Sequence, residues 1–273
     1  MTETWSQVFP TVKVDDEFVA SAPLRADGSP RSFGGHLTAI AVSAAGQRFA
    51  SHLPHSVHGY YLRPVLSGSE IAGRLVVLGE GRQVSRCQVT LSVSGKLVYV
   101  AVVSLHAPQE IATSDSDQLV VPAVPSPSET EPLELFPTAA TAAWFEQRPV
   151  SAEPMRIWVR SAQPLPADPW TSYAAIASMT DIGLVRAADP AAAQDVSDEH
   201  GQPEGVTLEH ALWFHQRPDA ASWNLLDATG IRSSDGRALA QGRLWSQDGT
   251  LSATFVQDVL ARPAKSQTMK GAK

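Results

Sequence analysis

Hydrophobic positions in the first third of the chain follow two periods. After Phe33-Gly34-Gly35 comes an alanine-rich stretch, HLTAIAVSAAGQRFA, with Leu37, Ile40 and Ala41 at i, i+3 and i+4. That spacing predicts one buried helix, and the double glycine before it permits close backbone packing at its start. Four runs rich in β-branched residues follow: VHGYYL, EIAGRLVVLG, VSRCQVTLSV and KLVYVAVVSL. Gly68, Gly79-Glu80-Gly81 and Ser94-Gly95 punctuate them as turns. The prediction is one apolar helix followed by a meander of antiparallel strands. GEGR (79–82) lies between two strands and reads as a hairpin turn, not a phosphate loop.

Residues 107–137 change character. Pro108, Pro122, Pro125, Pro127, Pro132 and Pro137 are interspersed with Ser, Asp and Glu, as in an irregular connector. Its VVPAV patch (120–124) is apolar enough to pack on a surface. From Trp144 the first pattern returns. PMRIWVRSAQPL predicts a strand, and in DPWTSYAAIASMTDIGLV the residues Tyr173, Ile176 and Ala177 again have helical spacing. A polar, Asp-rich stretch (189–204) precedes VTLEHALWFHQRP and the closing strands.

The two halves also match in sequence. HSVHGYYLRP (55–64) resembles HALWFHQRP (210–218), and their Arg-Pro ends are 217 − 63 = 154 residues apart. GRQVSRCQVTLSVSGKLVYVAVVSL (81–105) aligns with GRALAQGRLWSQDGTLSATFVQDVL (236–260), with one gap before Gly95 and Gly249. A duplication this long implies two similar modules packed as a pseudo-dimer.

Composition narrows the function. A net charge of −7 argues against a general nucleic-acid or anionic-membrane binder. The single cysteine, Cys87, forms no internal disulfide and suits a reducing compartment, so a cytoplasmic location is expected. The segment Met1-Thr2-Glu3-Thr4-Trp5 lacks the basic and apolar regions of a secretory leader, and no run is long and apolar enough for a membrane span. The lysine-bearing tail reads as solvated.

FGGH (33–36), HSVHGYYLRP, LEHALWFHQRP (208–218) and SQDGTLSATFVQD (246–258) resemble the acyl-CoA thioesterase II (TesB-like) family. The resemblance implies an α+β double hotdog: two tandem modules, each a long helix wrapped by an antiparallel β-sheet. Residues 1–107 and 143–264 would form the modules, 108–142 the connector and 265–273 a disordered tail. It implies hydrolysis of acyl-CoA by a water that Asp181, Thr207 and Gln257 order, with no cofactor and no metal. Two positions depart from the family pattern, which usually has Gln at His36 and Asp at Glu209. Strand edges and faces left over by such a fold suggest a homodimer or larger homo-oligomer.

The duplication tests the trio independently. Aligning AIAVSAAG (39–46) with AIASMTDI (175–182) sets Asp181 opposite Ala45, and the 154-residue offset sets Thr207 opposite Leu53 and Gln257 opposite Val103. Polar groups at positions a core would fill with Ala, Leu and Val need partners, since each left unpaired costs roughly 1–3 kcal/mol. A carboxylate in an apolar site can take a proton from water, and a hydroxyl and an amide can orient that water; direct attack by Asp181 to form an anhydride is the alternative. Asp181 is unusual near a helix C-terminus, where its charge opposes the macrodipole.

Among other candidates, Gly35 and His36 are placed near the acyl pocket. His55, His58, His210 and His215 show no metal-ligand spacing, and His55 and His210 read as structural. Tyr60, Tyr61, Trp213 and Phe214 read as core or interface residues, and Arg63 and Arg217 as candidates to meet coenzyme A phosphates. The absence of GxSxG argues against a Ser-His-Asp hydrolase. Two further functions are weighed: a non-catalytic acyl-thioester-binding protein, and an enoyl-thioester hydratase, which the lack of a histidine next to Asp181 in sequence disfavours.

Overall fold

The computed structural model describes residues 4–10, 12–13, 15–25, 28–109, 119–130, 141, 143–188 and 205–261. Much of the expected connector, the Asp-rich stretch 189–204 and the expected tail lie outside the described residues. The first half contains α1 (Trp5–Val8), β1 (Glu17–Ser21), α2 (Gly34–Arg48), β2 (Leu53–Tyr61), β3 (Glu70–Glu80), β4 (Val84–Val93) and β5 (Lys96–His106). The second contains β6 (Phe145–Ser151), β7 (Met155–Ser161), α3 (Thr171–Met179), α4 (Leu184–Ala188), β8 (Gly205–Phe214), β9 (Asn224–Ser234), β10 (Arg237–Ser246) and β11 (Leu251–Ala261).

These strands form one 11-stranded sheet in the order β1-β3-β4-β5-β2-β8-β11-β10-β9-β7-β6. Every pairing is antiparallel. Read towards the middle, β1-β3-β4-β5-β2 has its counterpart in β7-β9-β10-β11-β8, with β6 added at one edge. The halves join where β2 pairs with β8: Val57 opposite Leu212 and Gly59 opposite His210. The glycine turn at 79–82 is the β3–β4 hairpin.

All residues from Gly35 to Gly46 of α2 are buried. A helix made of small and apolar residues on every side is stable only when enclosed, and the β2, β4 and β5 strands pack against it. The second helix departs from the sequence expectation. α3 has 9 residues against 15 in α2. It stops because the chain turns at Thr180–Gly183, where Gly183 has φ +73°, a conformation open to glycine without a Cβ clash.

α2 and α3 run antiparallel in close contact. A Cβ on Gly35 would lie 2.5 Å from the Ser178 carbonyl oxygen, and one on Gly46 would lie 2.4 Å from Trp170 Cβ. Each glycine therefore lets one helix approach the other's chain. Near their ends Trp5, fully buried, donates its indole N–H to Ser161 Oγ at 2.9 Å and packs on Phe9, Trp144 and Phe145.

The described part of the connector does pack on the surface. Leu119 and Val124 rest against Trp158, Leu225 and Trp245, and Trp158 donates its indole N–H to the Pro125 carbonyl at 2.9 Å. Val120 stays exposed. No helix among the described residues is long and apolar enough to cross a membrane.

The Gly46 contact yields a direct test. Gly46→Ala should lower stability by about 1–3 kcal/mol, the usual range for overpacking, because Trp170 is hemmed in and meets the new methyl at its Cβ rather than at a mobile tip. Urea unfolding should show a lower midpoint with an unchanged slope; an unchanged midpoint would mean the helices have slack.

Candidate active site

Three elements from the second half and one from the first meet at Asp181. Asp181 lies in the turn after α3, Thr207 on β8 and Gln257 on β11. Thr207 Oγ1 donates to Asp181 Oδ1 at 3.4 Å, and Gln257 Nε2 donates to Thr207 Oγ1 at 3.0 Å. A register shift makes this geometry. β8 and β11 pair Glu209 with Asp258 but Thr207 with Val259, so one residue of β8, Leu208, is bulged out. In an unbroken ladder Thr207 would face away from Gln257, since a one-residue shift reverses the side of a strand. The bulge returns it to the side of Gln257.

The fourth contributor is the N-terminus of α2. Its N-cap residue, Phe33, offers no capping side chain, which leaves the first N–H groups of the helix without intrahelical partners. The backbone N–H of Gly35 faces the Asp181 carboxylate and favours its charge. The unfavourable position of Asp181 after its own helix is thus answered by the positive end of the neighbouring helix. Burial pushes the Asp181 carboxyl up to about 7, while hydrogen bonds from Gly35, Gln257 and Thr207 oppose the rise.

Asp181 and Thr207 line a cavity of about 460 Å³. Its walls are largely apolar, with Phe33, Leu37, Ile157, Ile182, Val206 and Leu208, and they also carry Arg25, Arg31, Arg63 and Arg186. Gln257 is fully buried and stands behind Thr207, off the cavity wall. Gly35 and His36 are also off the wall. Gly35 reaches the site through its N–H alone, and the His36 ring lies in a cage of Trp5, Phe33 and Trp144. Burial lowers the His36 pKa to about 3, with Arg25 adding to the effect. Arg63 lines the cavity and Arg217 does not. His55 meets His106, His58 meets Trp213, and His215 bonds Thr254. Tyr60 and Trp213 are exposed, while Phe214 is buried against Tyr173.

Three residues at or behind the site were not foreseen as functional. Tyr61, from β2, forms part of the cavity wall. An added Cβ at Gly34 would touch both its ring, at 3.2 Å, and Asp181 Oδ2, at 3.0 Å. Its hydroxyl bonds Thr38 Oγ1 at 2.7 Å, and Tyr99 bonds the same oxygen at 3.0 Å. His210 and Thr180 continue the polar chain behind Gln257: His210 Nδ1 lies 2.8 Å from Gln257 Oε1, and His210 Nε2 lies 3.0 Å from Thr180 Oγ1.

The register gives the signal that exposes these two. Gln257 pairs with His210 as Val103 pairs with Val57, and Thr207 faces Val259 as Pro54 faces Leu105. The counterpart of Thr207 is therefore Pro54, one residue from the Leu53 given by a constant offset. The counterpart of His210 is Val57, and the helix alignment sets Thr180 opposite Ala44. Both counterparts are buried and apolar, so the exchange that marks Asp181 and Gln257 marks His210 and Thr180 as well.

Comparison with known proteins agrees across the chain. Residues 22–106 match the model of the acyl-CoA thioesterase N-terminal domain, and residues 107–261 that of the acyl-CoA thioesterase C-terminal domain. Acyl-CoA thioesterase 2 of Haemophilus influenzae is 24% identical over 267 residues, covering 86% of this chain and 89% of its own. Among solved structures, a TesB protein of Mycobacterium avium subsp. paratuberculosis superposes with a TM-score of 0.78 at 28% identity, over 94% of this chain and 98% of its own. A hot dog fold protein from Alicyclobacillus acidocaldarius superposes with a TM-score of 0.74 at 19% identity, over 96% of this chain and 99% of its own. With both domain models matched end to end, the chain belongs to the acyl-CoA thioesterase II family.

Proposed function

We propose that the protein hydrolyses acyl-CoA thioesters to the free acid and coenzyme A, using Asp181 as the general base. The observation that carries this reading is a buried carboxyl on the wall of an apolar cavity, with the Thr207 hydroxyl donating to it and its pKa raised by burial to about 7. A base poised near neutrality is the most effective one at neutral pH. We read the chain as two tandem hotdog modules, residues 1–107 and 143–264 with 108–142 as connector. The repeated strand order and the matching β2–β8 register support this.

In the proposed reaction a water donates one hydrogen bond to Asp181 and another to the free lone pair of Thr207 Oγ1. Its oxygen attacks the thioester carbonyl carbon while Asp181 takes its proton. The tetrahedral oxyanion collapses, the C–S bond breaks, and the proton passes from Asp181 to the leaving thiolate. Asp181 becomes neutral as the oxyanion forms, so the site holds one negative charge throughout. The positive end of α2 faces Asp181, and such fixed dipoles need no reorganisation during the step. Gln257, off the wall, acts by holding Thr207 and Asp181 rather than by touching the water.

The four cavity arginines supply positive charge in an acidic protein, as a substrate with phosphates requires. His210, bonded to Thr180 and Gln257, has both nitrogens engaged and is off the cavity wall, so it is not placed to serve a hydration reaction.

Released thiol, followed with a panel of acyl-CoA substrates, tests the reading. kcat/KM should fall about tenfold per pH unit well below pH 7, as Asp181 becomes protonated. Asp181→Asn should lower the rate about 10²–10⁴-fold at pH 8; full turnover in that folded variant would refute the mechanism.

The same variant should be more stable than the parent at high pH. The folded-state pKa of Asp181 is raised, to about 7 from 3.8. Its ionisation therefore removes stability as pH rises between those values, and the loss is complete above 7, on the order of a few kcal/mol at about 1.4 kcal/mol per pH unit. Thermal unfolding should show a larger gain for Asp181→Asn at pH 8 than at pH 4.5; an equal gain would mean the carboxyl is not shifted.

Arg31 and Arg63 are both exposed at the cavity. Arg31→Ala with Arg63→Ala should raise KM for an acyl-CoA several-fold. KM for the corresponding N-acetylcysteamine thioester, which lacks phosphates, should not change. Equal changes for both substrates would remove the arginines from phosphate recognition.

A further inference from the structure

Hydrogen-bond direction behind the site is over-determined, and it leads to His210. An ionised carboxylate only accepts, so Thr207 must spend its one hydroxyl proton on Asp181. Thr207 Oγ1 must then accept from Gln257, which requires the amide nitrogen of Gln257 to face it. The amide oxygen is left facing His210 Nδ1 at 2.8 Å, so Nδ1 must carry a proton. Nε2 of a neutral imidazole is then bare and must accept from Thr180 Oγ1 at 3.0 Å. The result is a one-way chain of donors: Thr180, His210, Gln257, Thr207, Asp181.

The opposite arrangement has a definite consequence. Thr180 Oγ1 also lies 3.1 Å from the Ala177 carbonyl. If Thr180 gave its proton there, His210 would bond it through an Nε2–H, and a bare Nδ1 would oppose the Gln257 oxygen. The amide would turn over and present its oxygen to Thr207. The Thr207 hydroxyl would then donate to Gln257 and leave Asp181 with one donor fewer.

We propose, resting on the reading of Asp181 as the base, that His210 is a positioning residue: its Nδ1–H tautomer, held by Thr180, fixes which way the Gln257 amide points and so aims Thr207 at Asp181. His210, Thr180 and Gln257 are all buried off the cavity wall, so none of the three needs substrate to hold its place. Their counterparts Val57, Ala44 and Val103 show that the same position in the first half is filled without polar groups. Burial also lowers the His210 pKa to about 4, so the ring is neutral where Asp181 titrates. The groups facing Asp181 are the Gly35 N–H from α2, Tyr61 from β2, Tyr99 from β5, Thr207 from β8 and Gln257 from β11. Both tyrosines are pushed up by burial and stay uncharged, so burial raises the Asp181 pKa and the donors facing the carboxyl, Gly35 first and then Gln257 and Thr207, hold it back.

Two measurements on the full chain test this. The first is the ¹⁵N spectrum of the His210 ring between pH 6 and 8. A protonated Nδ1 and bare Nε2 are expected; an Nε2–H tautomer or an imidazolium overturns the proposal. It needs no variant and no turnover, so it stands apart from the thioesterase reading, whose own failure would appear as no thiol release by the parent protein.

The second is kinetic. His210→Val, the residue of the first half, should lower kcat by about tenfold or more, as misaimed groups do, with KM within about twofold. Its acid limb should move to higher pH, because Asp181 has lost a donor. His210→Asn places an amide N–H where Nδ1–H stood and should restore both kcat and the limb. His210→Gln reaches the Nε2 position instead and should restore neither. Parent kcat and pH profile in His210→Val overturn the proposal, as does a folded His210→Asn no better than His210→Val. If His210→Val does not fold, the ring spectrum decides.

Discussion

The antiparallel contact between α2 and α3 is the constraint on which the site depends. It is made by glycines at both ends of α2, where a methyl group would collide with Ser178 or Trp170. Because the helices run opposite ways, the start of α2 meets the end of α3. That is where Asp181 is needed. A helix whose N-cap residue has no capping group and a carboxylate beyond the wrong end of its own helix are each unfavourable alone. Brought together by the close packing, each answers the other. Asp181 therefore belongs to one half of the chain and the helix end that faces it to the other, so neither half could build this cluster by itself.

The same contact explains why the pseudo-symmetric position is not a second site. In the helix alignment Gly34 corresponds to Trp170. At the described site Gly34 leaves room beside Asp181 and Tyr61. At the other end Trp170 fills the equivalent space, packed on Gly46 and edge-on to Phe9. Ala44, Ala45, Val57 and Val103 complete an apolar plug where the second half has Thr180, Asp181, His210 and Gln257. One half carries the buried polar set and the other an apolar core at the matching positions.

What was legible in the sequence follows from which physical signals are local. Helix period, strand runs and turn glycines are local, and they placed α2 and the strands β2 to β5. The repeat exposed Asp181, Thr207 and Gln257 because it compares residues across the chain. Three features were not legible. The register of β2 and β8 is a property of strand pairing: both strands carry the same bulge, at His55 and Leu208, and match one residue short of the Arg-Pro offset, so a constant offset misses His210 and shifts Thr207 by one residue. The shortness of α3 depends on the turn to Gly183, which helical spacing through Ile176 and Ala177 does not reveal. His36 follows the glycines in sequence, but on α2 its side chain leaves on the side facing Trp5 and Trp144, away from the cavity.

A buried polar chain is tolerable only if every donor has somewhere to send its proton and every acceptor receives one. Here the carboxylate supplies the direction, because it is the one member that never donates when ionised. Each residue behind it has its orientation forced in turn, back to Thr180, whose single proton goes to His210 rather than to the competing Ala177 carbonyl of α3. Protonating Asp181 removes that anchor. A carboxylic acid can donate as well as accept, so the Thr207 hydroxyl is no longer obliged to face it. On the proposed reading, low pH thus does more than neutralise Asp181: it also releases the order of the residues behind it. The chemistry proposed for Asp181 and the order of the polar groups packed behind it both follow from the same ionised group.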